Sequence, residues 1–146
     1  MNERKLAHTL LTRKPSATSM TLALATAALV TFVTLLGWYI PQFGAKLPVS
    51  GEDFFTAREW WRPWSACFAH ADLAHLLSNL VLFVILGRFL SGYFGTWLFP
   101  FWAFVLGGFA NLFVLPTYPL EVRVLGASGV VNVLGGLWLS LFFLIS

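Results

Sequence analysis

A chain of 146 residues with 58% hydrophobic and only 10% charged side chains is too apolar for an ordinary soluble domain, where roughly a quarter of residues carry charge. Its net charge of +3 is not laid out as a basic stripe interleaved with aromatics, which argues against nucleic acid as a partner. The single cysteine, Cys67, excludes an intramolecular disulfide, while 15 Phe and 7 Trp suit surfaces that meet a lipid bilayer.

Residues 1–19 are polar, with Arg4, Lys5, Arg13 and Lys14 outweighing Glu3. From Met20 to Ile40 no charge appears, and the length suits a membrane-crossing helix of about 20 residues. A cleaved signal peptide would carry an apolar stretch of about 7–15 residues and a small-residue cleavage site. This run is longer and ends in Gly37-Trp38-Tyr39-Ile40-Pro41, an interfacial aromatic pair followed by a helix stop. The basic residues ahead of it predict a cytoplasmic N-terminus, which places residues 41–72 outside. That loop holds Phe54, Phe55, Trp60, Trp61, Trp64 and Phe68 among charged residues, so short amphipathic helices resting in the interface are expected.

A second span is expected from Leu73 to about Leu90, with Arg88 snorkelling to the cytoplasmic headgroups. A turn follows at Ser91-Gly92. The third span runs from Tyr93 or Phe94 to Leu115, with Pro100 in its first turns, where a missing amide is tolerated. Gly107-Gly108 would allow another helix to approach closely. Pro116, Pro119, Glu121 and Arg123 mark the next outer loop, and a fourth run extends from Gly126 to Ser146. The expected fold is all-α, a polytopic helical membrane bundle with one membrane domain over residues 20–146.

Polar groups at membrane depth usually face the bundle interior or a water-filled cavity, which singles out His75, Asn79, Ser128 and Asn132. His75 and Asn79 are four apart and share one helix face, as do Ser128 and Asn132. A lone serine in such a helix is ordinarily a packing residue bonded to its own backbone, and a lone asparagine an interhelical hydrogen-bonding residue. The set is less ordinary. Crossing parity puts the starts of the second and fourth spans on one side, so His70, His75, Asn79 and Ser128 can meet. Gly126 and Gly129 leave room beside the Ser128 hydroxyl. His75 and Asn79 supply neutral donors of the kind an acyl-transfer oxyanion needs. The stretch Gly126-Ala127-Ser128-Gly129-Val130 is not the Gly-x-Ser-x-Gly elbow of soluble hydrolases. Metal binding is not expected: His70 and His75 are five apart, about 140° around a helix, and no third ligand completes a set.

With these residues in view, the sequence resembles the rhomboid family of intramembrane serine proteases. Glu59-Trp60-Trp61-Arg62 is similar to the family's Trp-Arg loop motif. His70, His75 and Asn79 match its His-x4-His-x3-Asn pattern, and Gly126-Ala127-Ser128-Gly129 its Gly-x-Ser-Gly. The resemblance implies a six-span fold of which four spans are present. It implies Ser128 as nucleophile, with His75, Asn79 and the Ser128 amide as oxyanion donors. Gly126 and Gly129 would keep the site open, Trp61 and Arg62 would steady the outer loop, and His70 would belong to the water-accessible region. The implied partners are a transmembrane protein substrate and the lipid bilayer, with no metal or diffusible cofactor; the compact layout suggests a bacterial inner membrane.

Two departures stand out. The family pairs its serine with a histidine on the sixth span, whereas the histidines here are His8, His70 and His75. Asn132 stands where many members have an aromatic. The fourth run reaches Ser146 without a polar flank, so the sequence is expected to be the N-terminal part of a longer protein, inactive alone. The rival reading is a rhomboid-like protein that binds client helices without cutting them. A channel or transporter has little support, since no intramembrane carboxylate or cation marks a pathway.

Overall fold

The computed structural model describes residues 17–145. The polar segment expected over residues 1–19 therefore lies almost wholly outside the described residues. Six α-helices follow in chain order: α1 Ala17–Tyr39, α2 Pro41–Gly44, α3 Arg62–Ser65, α4 Leu73–Phe94, α5 Ala103–Val114 and α6 Ser128–Ile145. The expected all-α membrane bundle is what the structure shows.

Helix α4 lies between α1 and α6, and α6 lies between α4 and α5. The buried side of α1 is Ser19, Ala23, Thr26, Ala27, Val30 and Thr34, spaced three and four apart. Mostly small side chains at that spacing let α1 approach α4 closely. The buried residues of α4 include Leu76, Asn79, Phe83, Gly87 and Leu90. These helices share a core with Phe99, Ala103, Val130, Val131 and Leu134. The outer faces stay apolar: Leu24, Phe32, Val81, Ile85, Phe113 and Phe143 are all exposed. Such a surface is compatible with lipid rather than water, and this is an integral membrane protein.

Among the described residues, three segments are long and apolar enough to cross a membrane: Ala17–Tyr39, Leu73–Phe94 and Trp97–Thr117. The fourth, α6, is a shorter apolar helix of 18 residues, about 27 Å at 1.5 Å per residue. Two boundaries differ from the sequence reading. The turn expected at Ser91-Gly92 falls at Gly95, whose φ of +91° ends α4. Ser91 remains helical, its hydroxyl donating to the Gly87 carbonyl at 2.6 Å. The third span is also not one α-helix from its start. A wide turn over Trp97–Trp102 precedes α5, and Phe99 within it is extended at φ −134°, ψ 129°. A proline disfavours the helical region for the residue before it, so Pro100 breaks the span rather than opening it. Gly87 makes room for the displaced Phe99 ring: a Cβ there would fall 2.6 Å from Phe99 Cζ.

The outer loop is folded around Arg62, which is only 4% exposed. Its Nη1 donates to the Ala45 and Pro48 carbonyls at 3.1 and 2.8 Å. Its Nε meets Glu59 Oε2 at 2.5 Å, and its Nη2 pairs with Glu59 and with Asp53, the latter at 3.3 Å. A buried guanidinium is tolerable only with its donors satisfied in this way. Trp61 beside it is 56% exposed. The indole that packs is Trp64, which donates to the Val105 carbonyl at 3.2 Å and sits edge-on to Phe109. Gly108 provides its seat, since a Cβ there would lie 2.2 Å from Trp64 Cδ1. A two-way antiparallel bridge, Val49 to Val124, ties this loop to the one before α6.

Candidate functional site

The approach to α6 uses its backbone amides one by one. Gly126 N–H donates to the Ala66 carbonyl at 2.9 Å, and Ala127 N–H to His70 Nε2 at 3.2 Å. The first helical bond then runs from Val131 N–H to the Ala127 carbonyl at 2.9 Å. The amides of Ser128, Gly129 and Val130 are thus the orphan donors of a helix N-terminus, at the positive end of the helix dipole. Ser128 and Gly129 line a cavity of about 500 Å³ that also receives His75, Asn111, Asn132 and Arg123.

Gly126 lies between the His75 and Ser128 side chains. Its φ of +110° is one that L side chains rarely adopt. A Cβ placed there would fall 2.6 Å from His75 Nε2 and 3.6 Å from Ser128 Oγ. The imidazole and the hydroxyl therefore flank a single point, which glycine leaves open. Gly129 serves the packing instead: a Cβ there would meet Asn111 Oδ1 at 2.7 Å and the Gly107 carbonyl at 3.1 Å. Close approach of α5 and α6 needs both Gly129 and Gly107.

His70 holds this arrangement from behind. It is 5% exposed, in the loop ahead of α4. Because Nε2 accepts from Ala127, Nδ1 carries the proton and donates to Thr34 Oγ1 at 3.0 Å. Thr34 in turn donates to the Phe68 carbonyl at 2.8 Å. Trp38 Nε1 donates to the His70 carbonyl at 2.7 Å. One ring so connects α1 to the residue just before the serine. It also packs edge-on against His75, with centroids 5.1 Å apart. The wide separation expected from helical spacing does not apply, because His70 lies outside α4. Burial, reinforced by the adjacent His75, pushes the His70 imidazole from 6.5 down to about 4, so it is neutral in the folded protein.

His75 is fixed by its position in the first turn of α4. Asp72 caps that helix, its Oδ1 accepting from His75 N–H at 2.8 Å. Asn79 is one turn further in and buried, its Nδ2 donating to the His75 carbonyl at 2.8 Å. The structure therefore brings His70, His75, Gly126 and Ser128 together and leaves the Asn79 amide turned to its own helix. Asn132 lies one turn below Ser128 on the cavity wall.

Sequence reasoning missed Asn111. It is 4% exposed, lines the cavity, and donates from Nδ2 to the Pro63 carbonyl at 2.8 Å and to Cys67 Sγ at 3.5 Å. Its signal was a lone asparagine in the apolar run of α5. Cys67 is buried, and burial pushes its thiol up to about 12, so it stays protonated.

A family model of the rhomboid domain matches residues 57–145, which include the folded outer loop from Ala57 onward, the whole cavity and α6. Comparison with curated proteins gave no match, and comparison with solved structures gave none either. The match covers more than half of the chain and every residue that builds the cavity, and on that basis this chain belongs to the rhomboid family.

Proposed function

We propose that this protein is an intramembrane serine endopeptidase that cleaves transmembrane protein substrates, with Ser128 as its nucleophile. The observation that carries the reading is the joint placement of the Ser128 hydroxyl and the His75 imidazole about one open point at Gly126, before the unpaired N-terminal amides of α6. A carbonyl entering there would meet a hydroxyl on one side and fixed donors on the other. Preorganised donors aimed at developing negative charge are commonly the largest single contribution to such catalysis.

In the reaction, Ser128 Oγ attacks the peptide carbonyl carbon. The hydroxyl proton passes to a base and then to the amine nitrogen as the C–N bond breaks. Water then cleaves the ester, releasing the carboxylate and restoring the hydroxyl. His75 and the Ser128 and Gly129 amides hold the oxyanion, and Asn79 joins them when its amide leaves the His75 carbonyl. The base is the part not found in residues 129–146, which contain no histidine. Without one a serine hydroxyl is a poor nucleophile. Gly135 and Gly136 continue the Ser128 side of α6, and a Cβ on either meets nothing within 4 Å. A helix seated there would carry an imidazole to the serine. The accompanying orientation, with the N-terminus in the cytoplasm, rests on the basic residues before α1.

The test compares the native protein with its Ser128→Ala variant in bilayer vesicles, reading cleavage of a model transmembrane segment. A fall of at least about 1,000-fold is expected; an unchanged rate sinks the proposal. The second reading is a non-proteolytic relative that binds client helices, favoured by the absence of a histidine after Ser128. It requires that wild type itself cleave nothing while retaining the client helix.

A further inference from the structure

The cavity around Ser128 contains a charge that the chemistry of acyl transfer does not use. Arg123 lies on its wall, on the segment between α5 and α6. The backbone there is pinned. Val124 exchanges hydrogen bonds with Val49 at 2.7 and 3.0 Å, and Gly126 is bonded to Ala66. Arg123 is thus presented just ahead of a backbone held at Val124 and Gly126.

Its guanidinium has no ion-pair partner among the described residues, and each carboxylate there is accounted for elsewhere. Asp53 and Glu59 are engaged by Arg62, and Glu59 also by Lys46. Asp72 caps α4. Glu52 and Glu121 are exposed and stand outside the cavity lining. The remaining polar side chains on the wall (His75, Asn111, Tyr118, Ser128 and Asn132) include no acid. The cavity therefore carries one formal positive charge and no negative one. A cleft walled by low-dielectric material concentrates such a field on whatever enters it. The complement it lacks is a carboxylate, which a guanidinium can engage through two parallel hydrogen bonds.

Resting on the endopeptidase reading, we propose that Arg123 is a specificity-determining residue that recognises an aspartate or glutamate side chain in the substrate segment presented to Ser128. The substrate class so defined is a transmembrane segment whose membrane-boundary residues near the cleaved bond include an acid. An exposed arginine on this loop is also chemically suited to a lipid phosphate, and the test separates the two.

The native protein is reconstituted in zwitterionic phosphatidylcholine vesicles with paired substrates that differ only by Glu against Gln near the cleaved bond. The acidic substrate is expected to have the higher kcat/KM by about tenfold. Arg123→Gln should bring that ratio to about one, and Arg123→Glu should favour a Lys-bearing substrate over the Glu-bearing one. A wild-type ratio near one overturns the proposal. So does a ratio that Arg123→Gln leaves intact, including a loss of rate shared by both substrates, which would assign Arg123 to lipid or to folding. Binding of the fluorescently labelled pair to the Ser128→Ala protein repeats the comparison without cleavage. A Glu preference there that vanishes with Arg123→Gln supports recognition even if no proteolysis occurs, while equal binding of the pair counts against it.

Discussion

At Gly126 two requirements meet in one residue: a backbone at φ +110° and an empty volume between His75 and Ser128. Gly126→Ala should therefore lose stability by about 1–3 kcal/mol from backbone strain and should also displace the imidazole. A chemical melt together with a cleavage assay reads both effects, and near-normal activity in a folded variant would contradict the geometry. His70 has a different signature. Held neutral in the fold with its pKa near 4, against 6.5 in the unfolded chain, it contributes stability that is full above pH about 6.5. That stability is lost as pH falls toward 4, since the unfolded chain binds the proton first. The loss should amount to at most about 3 kcal/mol. His70→Gln should flatten this part of the stability profile, and an unaltered slope would show that another group titrates. The His75, Gly126 and Ser128 set was legible in the sequence because the spacing rules of helices and the crossing parity of spans bring it together. His70 was only half legible. Its five-residue spacing from His75 was measured as if both rode one helix, whereas Asp72 starts α4 between them. Asn111 was not legible, because a single polar residue in an apolar helix looks the same whether it serves packing or lines a cavity.

Among the elements, the folded loop ahead of α4 depends on one ion-pair centre and one seated indole. Arg62→Lys keeps a charge but removes the planar fork. It should forfeit the bonds to the Ala45 and Pro48 carbonyls, a loss of about 2 kcal/mol at the usual worth of a hydrogen bond, seen as a lower denaturation midpoint. Gly108→Leu should push Trp64 from its place on α5, costing at least about 2 kcal/mol through lost packing and strain. Trp64 fluorescence should then report a wetter indole; an unchanged spectrum and midpoint would contradict the seat. The sequence marked Gly107-Gly108 as a place of close approach but not what approaches. The structure divides the pair, with Val130 of α6 against Gly107 and Trp64 against Gly108. The ends of α1 and the start of α4 were legible from Pro41 and from the run beginning at Leu73. The break at Phe99 was not, because Pro100 reads equally well as a helix opener until the conformation of its neighbour is known.

For the whole molecule, the low charge content and the uncharged runs already require a bilayer, and the outward-facing Leu, Val and Phe side chains of α1, α4, α5 and α6 satisfy that requirement. The bundle brings the first turn of α4 and the N-terminus of α6 side by side, and the Val49–Val124 bridge closes the outer loops over them. A hydroxyl, an imidazole and unpaired helix amides then share a cavity within a protein whose outer surface is apolar. The central claim is that Ser128 is the nucleophile in that cavity. Its most direct measurement treats the native protein in vesicles with a fluorophosphonate, which traps an activated serine as a covalent phosphonyl ester, and locates the adduct by mass spectrometry. The account predicts one adduct, on Ser128, that is absent from Ser128→Ala and slowed in His75→Ala. An adduct on another residue, or an unmodified Ser128 in protein that cleaves its substrate, would contradict it.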